Sequence, residues 1–293
     1  MINGRTKVCC LIGKPVRHSL SPVIHNAAFK ELNLNYVYVA FNVERDSLKA
    51  AINGIRSLGI RGANVTMPYK TEVIEYLDII DDNAREIGAV NTIVNDNGVL
   101  KGYNTDGIGA LRAIKRFTSI EGRKILLIGA GGAGRAIATE LSKYASELVI
   151  LNRTVSKATE IALKLSKKGY KVRGEALSRR NIEREIRKVD LIINATPIGM
   201  KGVISGSPVP KELLSPDIVV FDIVYEPLET ELLQYAKSMG CLTIDGLWML
   251  IYQAAEAFKL WTNKEVPVEV MRKAALEVLE RREKRGEERH FQP

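Results

Sequence analysis

The sequence predicts an α/β protein of two domains, the second built on a parallel, doubly wound sheet. Three observations predict it. The chain has 293 residues, more than the roughly 100–200 of a usual single domain, and its 46% hydrophobic content can fill two cores. Short apolar runs that read as buried strands alternate with stretches of helical period along most of the length. Near the middle, the run Lys124-Ile125-Leu126-Leu127-Ile128 breaks into Gly129-Ala130-Gly131-Gly132-Ala133-Gly134 and resumes as helix-forming sequence: strand, tight turn, helix.

The elements follow in order. Lys7 to Gly13 is strand-like, and Ser21-Pro22 has the form of a helix N-cap with proline at the first helical position, for a helix continuing through Leu32. Tyr36 to Val43 is rich in β-branched and aromatic residues, and Asp46 to Leu58 carries Leu48, Ile52 and Ile55 at helical spacing. Arg61 to Thr66 is a third strand, stopped by Met67-Pro68, after which Tyr69 and Lys70 lead into a helix with Val73, Ile74 and Leu77 on its apolar face. Two apolar runs, 88–94 and 98–103, flank Asn95-Asp96-Asn97-Gly98, a strong hairpin signal that closes the first domain with an antiparallel pair. Asn104-Thr105-Asp106-Gly107 supplies a helix cap, and the domain boundary falls near it.

Beyond the glycine loop, strands at 147–152, 170–173, 190–194 and 218–223 are separated by helical or turn sequence, including a helix from Val155 to Lys168. This alternation implies the parallel, doubly wound sheet. A helix from about Glu229 to Met239 and a short strand at 242–244 complete it. Gly246 to Trp261 reads as a helix apolar around more than one face. From Val268 the chain is amphipathic to about Leu279 and then densely charged, which reads as a solvated, frayed end.

Composition narrows the function. Cys9, Cys10 and Cys241 have neither a disulfide framework nor zinc-ligand spacing and read as small buried hydrophobes, with no metal expected. The net charge is +9, yet Lys and Arg are interspersed with Glu and Asp, so no nucleic-acid partner is expected, while a positive field suits an anionic small molecule. No stretch has the roughly 18 apolar residues of a membrane span, and the apolar run ending at Gly13 is too short for a signal peptide. A cytoplasmic location follows as the default.

Gly129, Gly131 and Gly134 have the spacing of a dinucleotide fingerprint: one glycine for the turn, one for close approach of a pyrophosphate, one for helix-on-strand packing. Such turns also join strands to helices without a ligand, so the loop alone leaves both readings open. After the next strand, where an NAD site places an acidic residue, the chain reads Asn152-Arg153-Thr154-Val155-Ser156-Lys157. Without a carboxylate and with Arg153 and Lys157 at hand, the position favours the 2′-phosphate of NADP, unless these are ordinary surface cations. Asn194-Ala195-Thr196-Pro197 follows a buried strand, at the edge where parallel sheets bind ligands.

Eight motifs in order carry a resemblance to a known family: Ser19-Leu20-Ser21-Pro22, Asn64-Val65-Thr66-Met67-Pro68-Tyr69-Lys70, Gly88-Ala89-Val90-Asn91-Thr92, Asn104-Thr105-Asp106-Gly107, the glycine loop, Asn152-Arg153-Thr154, Asn194-Ala195-Thr196-Pro197 and Gln253. On these the chain resembles the shikimate dehydrogenases over essentially its whole length. The resemblance implies an N-terminal α/β substrate domain, residues 1–105 completed by C-terminal helices at about 246–293, and a Rossmann-like NADP-binding domain over 106–245. It implies reversible reduction of 3-dehydroshikimate to shikimate, with Lys70 as proton donor and acceptor and Asp106 as its partner.

The same resemblance assigns the substrate carboxylate to Ser19 and Ser21, and the rest of the substrate, chiefly its ring hydroxyls, to Thr66, Asn91, Asp106, Tyr225 and Gln253. To NADP it assigns Gly129, Ala130, Gly131, Gly132, Ala133, Asn152, Arg153, Thr154, Lys157, Ile223 and Gly246, of which Lys157 and Ile223 lie outside the motifs that carry the match. The expected partner is the small-molecule substrate alone, with no membrane and with a monomer or homodimer as the assembly. Two alternatives remain at this point: an NAD-using quinate/shikimate dehydrogenase, and a non-catalytic regulator that senses a metabolite on the same fold.

Overall fold

The protein, seen here as a computed structural model, is described over residues 2–290. Its contacts divide it into two units, Met1–Thr105 with Gln253–Pro293, and Asp106–Tyr252. No helix among the described residues is long and apolar enough to cross a membrane.

The first unit holds a six-stranded sheet. Its strands are β1 (Lys7–Gly13), β2 (Tyr36–Asn42), β3 (Gly62–Val65), β4 (Ile79–Ile80), β5 (Thr92–Asp96) and β6 (Val99–Tyr103), in the order β2-β1-β3-β5-β6-β4. Strand β1 lies parallel to β2 and β3, whereas β5 runs antiparallel to both β3 and β6. The expected hairpin is present: Asn97 and Gly98 adopt positive φ at its tip, and the Asn95 side chain accepts from the Gly98 N–H at 2.8 Å. Helices α1 (Ser21–Glu31), α2 (Leu48–Ser57) and α3 (Asp82–Ile87) accompany the sheet. Leu48, Ile52 and Ile55 of α2 bury against Ile12, Val65, Val73 and Ile93, as their spacing predicts.

The second unit contains α4 (Asp106–Lys115), β7 (Lys124–Ile128), α5 (Gly132–Leu141), β8 (Glu147–Asn152), α6 (Val155–Ser166), β9 (Val172–Ala176), α7 (Arg179–Ile186), β10 (Leu191–Asn194), β11 (Val219–Asp222), α8 (Glu231–Ser238) and β12 (Leu242–Ile244). All six strands are parallel, in the order β12-β11-β10-β7-β8-β9. This is the Rossmann arrangement, and its strand order reverses between β7 and β10, where a crevice opens at the carboxyl ends. Helix α9 (Gly246–Thr262) gives its first residues to this unit and those from Gln253 to the other, and α10 (Val268–His290) follows.

Several expectations need correction. Ser21 is not an N-cap: it is the first helical residue, Leu20 holds the cap position without a side-chain bond, and Pro22 sits in the first turn. The segment after Lys70 is a 3-10 helix, Glu72–Tyr76, rather than an α-helix, and β4 and α3, unforeseen, follow it. Its apolar residues number too few for more than one buried turn, and Leu77 is already extended. The strand expected at 170–173 begins two residues later, because Gly169, at positive φ, and Tyr170 belong to the turn that ends α6. The charged C-terminal run is helical through His290 rather than frayed; residues 291–293 lie outside the described residues. All three cysteines are free and buried, as expected.

Candidate active site

In the first unit, backbone bonds gather the predicted substrate residues at one edge of the sheet. Gly13, the last residue of β1, lacks a Cβ where one would collide with the Thr66 side chain, so the loop after β1 and the loop after β3 pack closely. The Lys14 N–H donates to the Met67 carbonyl at 3.0 Å and the Thr66 N–H to the Ile12 carbonyl at 2.9 Å, fixing their register. Ser19 stands on the first of these loops and Ser21 opens α1 at its end, where the Ser19 hydroxyl oxygen accepts from the Ser21 N–H at 3.2 Å. Thr66 and Lys70 stand on the second. The buried Tyr69 pins that loop by donating its hydroxyl to the Val43 carbonyl at 2.7 Å.

Asn91 joins the same edge. The Val65 N–H donates to its backbone carbonyl at 2.8 Å, and the Val90 N–H donates to the Lys70 carbonyl at 2.7 Å. Its buried side chain is saturated on the oxygen side: Oδ1 accepts from the Thr92 hydroxyl at 2.8 Å and the Thr105 N–H at 2.9 Å. Its Nδ2 reaches Thr105 Oγ1 at 3.1 Å and Gln253 Oε1 at 3.4 Å. Thr66, Lys70, Asn91 and Gln253 are thus brought together within the first unit. Asp106, buried at the first turn of α4, and Tyr225, just beyond β11, are carried by the second.

In the second unit the three fingerprint glycines differ in what requires them. Gly129 has φ +112°, and a Cβ there would fall 2.6 Å from the Ala195 carbonyl oxygen. At Gly134 a Cβ would run into the carbonyl of Gly129, so α5 could not approach β7. Gly131 is different: its φ is −77° and nothing in the protein lies within 4 Å of a Cβ built on it. Its bare backbone faces open space at the N-terminus of α5, where unpaired N–H groups suit a phosphate. A dinucleotide pyrophosphate fits that cradle.

Asn152 links the cradle to the neighbouring turn, accepting from the Ala130 N–H at 3.1 Å and donating to the Thr154 carbonyl at 2.9 Å. Arg153, Thr154 and Lys157 are exposed beside it, with no carboxylate at the end of β8. A 2′-phosphate fits this donor set. Ile223 and Gly246 are brought together at the ends of β11 and β12, since a Cβ on Gly246 would fall 2.5 Å from the Val224 carbonyl oxygen and collide with that of Ile223.

One buried carboxylate escaped the sequence reading. Asp222, at the end of β11, accepts from Asn194 Nδ2 at 2.9 Å, the Val224 N–H at 3.0 Å and the Thr230 hydroxyl at 2.7 Å. Asn194 in turn accepts from the Thr196 N–H at 3.1 Å and hydroxyl at 2.6 Å. Burial pushes the Asp222 carboxyl up to about 6, against the opposing effect of these three bonds. An acid closing an otherwise apolar strand was the available signal.

An all-parallel Rossmann sheet with a phosphate cradle at its switch point, paired with a unit that gathers polar side chains and a lysine at its own sheet edge, defines a dinucleotide-dependent oxidoreductase. The matches to known proteins are specific. Residues 11–93 match the family model of the shikimate dehydrogenase substrate binding domain, 112–245 that of shikimate / quinate 5-dehydrogenase, and 246–276 that of the shikimate 5′-dehydrogenase C-terminal domain. The chain belongs to the shikimate dehydrogenase family. It is 53% identical over 282 residues to the shikimate dehydrogenase (NADP+) of Pyrococcus furiosus, covering 96% of this chain and 100% of that one. Among solved structures it is similar to a shikimate dehydrogenase in complex with NADP+, with TM-score 0.90, 48% identity and coverage of 95% and 98%. It is also similar to a quinate dehydrogenase of Corynebacterium glutamicum in complex with NAD, with TM-score 0.86, 34% identity and coverage of 93% and 99%.

Proposed function

We propose that the chain catalyses the reversible, NADP-dependent reduction of 3-dehydroshikimate to shikimate, in the synthesis of aromatic amino acids. The observation that carries this reading is the 53% identity to the Pyrococcus furiosus enzyme across the whole of that protein. The substrate domain is residues 1–105 completed by 246–293, and the NADP domain is 106–245. The enzyme works in the cytoplasm as a monomer or homodimer.

Bound NADPH supplies the hydride. Negative charge then builds on the substrate's carbonyl oxygen, and the Lys70 ammonium gives that oxygen a proton from Nζ. In alcohol oxidation Lys70 Nζ takes the proton back. Asp106, as the partner carboxylate, favours the charged form of the lysine until the proton is needed. Ser19 and Ser21 bind the substrate carboxylate through hydroxyls, which supply hydrogen bonds without a permanent ion to bury. Thr66, Asn91, Asp106, Tyr225 and Gln253 bind elsewhere on the substrate, chiefly its ring hydroxyls. Gly129 to Ala133 would hold the NADP pyrophosphate, Asn152, Arg153, Thr154 and Lys157 would surround its 2′-phosphate, and Ile223 and Gly246 would contact the cofactor elsewhere.

The second reading, an NAD-using quinate/shikimate dehydrogenase, is favoured by the similarity to the Corynebacterium glutamicum quinate dehydrogenase. The absence of a carboxylate after β8 and the presence of both serines weigh against it. Absorbance of reduced nicotinamide, followed with each pairing of shikimate or quinate and NADP or NAD, separates the two. The proposal expects shikimate with NADP to be the fastest pair. Faster turnover of quinate with NAD would overturn it, and binding of shikimate without turnover would point to a silent regulator.

A further inference from the structure

Behind Asn91 and Gln253 lies a chain of buried side chains that the reaction does not itself use. Its direction can be read from the backbone groups that anchor it. Asn64 Nδ2 lies 3.3 Å from the Asn91 carbonyl oxygen, which can only accept, so the amide's other end, Oδ1, receives the Tyr38 hydroxyl proton at 2.7 Å. Asn64 Nδ2 also donates to Thr92 Oγ1 at 3.1 Å, which leaves that hydroxyl's one proton for Asn91 Oδ1 at 2.8 Å. The orientation of Asn91 is fixed independently, because the Thr105 N–H, which can only donate, meets the same Oδ1 at 2.9 Å. Asn91 Nδ2 donates to Thr105 Oγ1 at 3.1 Å, and the Thr105 hydroxyl lies 3.4 Å from Gln253 Oε1.

Every donor in this chain meets an acceptor, and the protons run from Tyr38 through Asn64, Thr92 and Asn91 to Gln253, whose Oε1 accepts from Asn91 Nδ2 at 3.4 Å; the Thr105 hydroxyl is shared between Asn91 Oδ1 at 3.2 Å and Gln253 Oε1 at 3.4 Å. The carbonyl oxygens of Asn91 and Gln253 are both consumed on the inner side. Both N–H bonds of Asn91 are spent within the chain, on Thr105 Oγ1 at 3.1 Å and Gln253 Oε1 at 3.4 Å, so of the two amides it is Gln253 that is left with its N–H side turned away from the chain. Reversing either amide would set two donors or two acceptors against each other in a buried site, which is costly in the low local dielectric.

We infer that Tyr38, Asn64, Thr92 and Thr105 are positioning residues whose hydrogen-bond chain fixes the Asn91 amide and, through Asn91 Nδ2, turns the Gln253 amide so that it meets the substrate as a donor and recognises a hydroxyl or keto oxygen through its lone pairs. The inference rests on the substrate-binding role proposed for Gln253. It also explains why Tyr38, whose ring is buried, is a tyrosine: a phenylalanine would fill the space and leave Asn64 Oδ1 without its donor.

The test compares Thr92→Val, which keeps the shape and removes the proton, with Thr92→Ser, which keeps the proton and removes a methyl. With one hydrogen bond in the lock lost, Thr92→Val is expected to raise KM for shikimate about tenfold, while kcat and KM for NADP stay within about twofold. Thr92→Ser should restore KM for shikimate to within about twofold of the wild type, whatever its melting temperature. Tyr38→Phe should act in the same direction as Thr92→Val and serves if that variant folds poorly. An unchanged KM for shikimate in Thr92→Val and Tyr38→Phe, or equal impairment in Thr92→Val and Thr92→Ser, overturns the inference while leaving the function intact. A wild type that does not turn over shikimate with NADP overturns the function and the inference together.

Discussion

The pH dependence of stability can be worked out at one residue, His25. It lies on α1, fully buried, with its ring stacked on Tyr38 at 4.4 Å between centroids and tilted against Trp261 at 5.1 Å. Neither ring nitrogen has a hydrogen-bond partner. Burial pushes its pKa down from 6.5 to about 3, opposed by the polar side chain of Asn64. The unfolded chain takes up a proton here as the pH falls below 6.5, whereas the folded chain refuses it until about 3. Over that window the unfolded state binds more protons, so stability is present above the unfolded pKa and is lost as the pH falls. Between pH 7.5 and 4.5 the loss spans about two units at about 1.36 kcal/mol each, or about 2.7 kcal/mol. His25→Phe keeps the stacking and removes the titration, and any cost of its extra volume is the same at both pH values. Urea unfolding of wild type and variant at pH 7.5 and 4.5 measures the difference directly: the variant should gain about 2.7 kcal/mol relative to wild type on acidification. A wild-type-to-variant difference that stays constant with pH would refute the reasoning.

Other residues yield equally direct tests. Lys70→Met should lower kcat about 10²- to 10⁴-fold with a smaller change in KM, read by steady-state kinetics; an unchanged kcat removes Lys70 from proton transfer. Arg153→Ala should raise KM for NADP about tenfold or more and leave KM for NAD nearly unchanged, since only the former carries the 2′-phosphate. Gly131→Ala should leave the melting temperature almost unaltered and weaken NADP binding by calorimetry, whereas Gly129→Ala should lower the melting temperature, because of these two positions it is 129 at which the fold itself excludes a side chain. Asp222 has the sign opposite to that of His25: its folded pKa of about 6 is raised, so its contribution to stability is present at low pH and lost as the pH rises through 6. Asp222→Asn should therefore gain about 2 kcal/mol relative to wild type between pH 4 and 7.5 in urea unfolding.

The second unit was legible from sequence because a parallel sheet buried on both faces writes its strands as continuous apolar runs, as in Lys124–Ile128 and Leu191–Asn194. The first unit was harder where its elements are short. Strand β4 has two residues and α3 six, and neither length can display a period. At the site, the motifs were legible as spacing, but their proton bookkeeping was not. Tyr38 is one aromatic in a strand that also holds Tyr36 and Phe41, and nothing local marks it as the residue whose hydroxyl meets Asn64, 26 positions away. Gly131 and Gly129 likewise read as equals until the backbone angles and the open space separated them.

The two units solve one structural problem by the same means. Ligand-binding edges of a sheet cannot be stiffened by apolar packing, because the side chains there must face a polar ligand, yet a site loose by an ångström loses its purpose. In the first unit short polar side chains tie the strand ends: Asn64 on β3 reaches Thr92 on β5, and Thr92 reaches Asn91. In the second, Asp222 on β11 receives Asn194 from β10 and Thr230 from the cap of α8. Both knots use amides, hydroxyls or a carboxylate whose partners are fully specified, so each has one low-energy arrangement and would hold its edge in shape before any ligand arrives. The difference between them is charge. The first knot is neutral throughout, whereas the second contains a carboxylate that burial has moved to about 6. Raising the pH through about 6 therefore places a buried charge at the dinucleotide edge, and Asp222→Asn should remove whatever pH dependence this carboxylate gives to KM for NADP while leaving KM for shikimate as in the wild type.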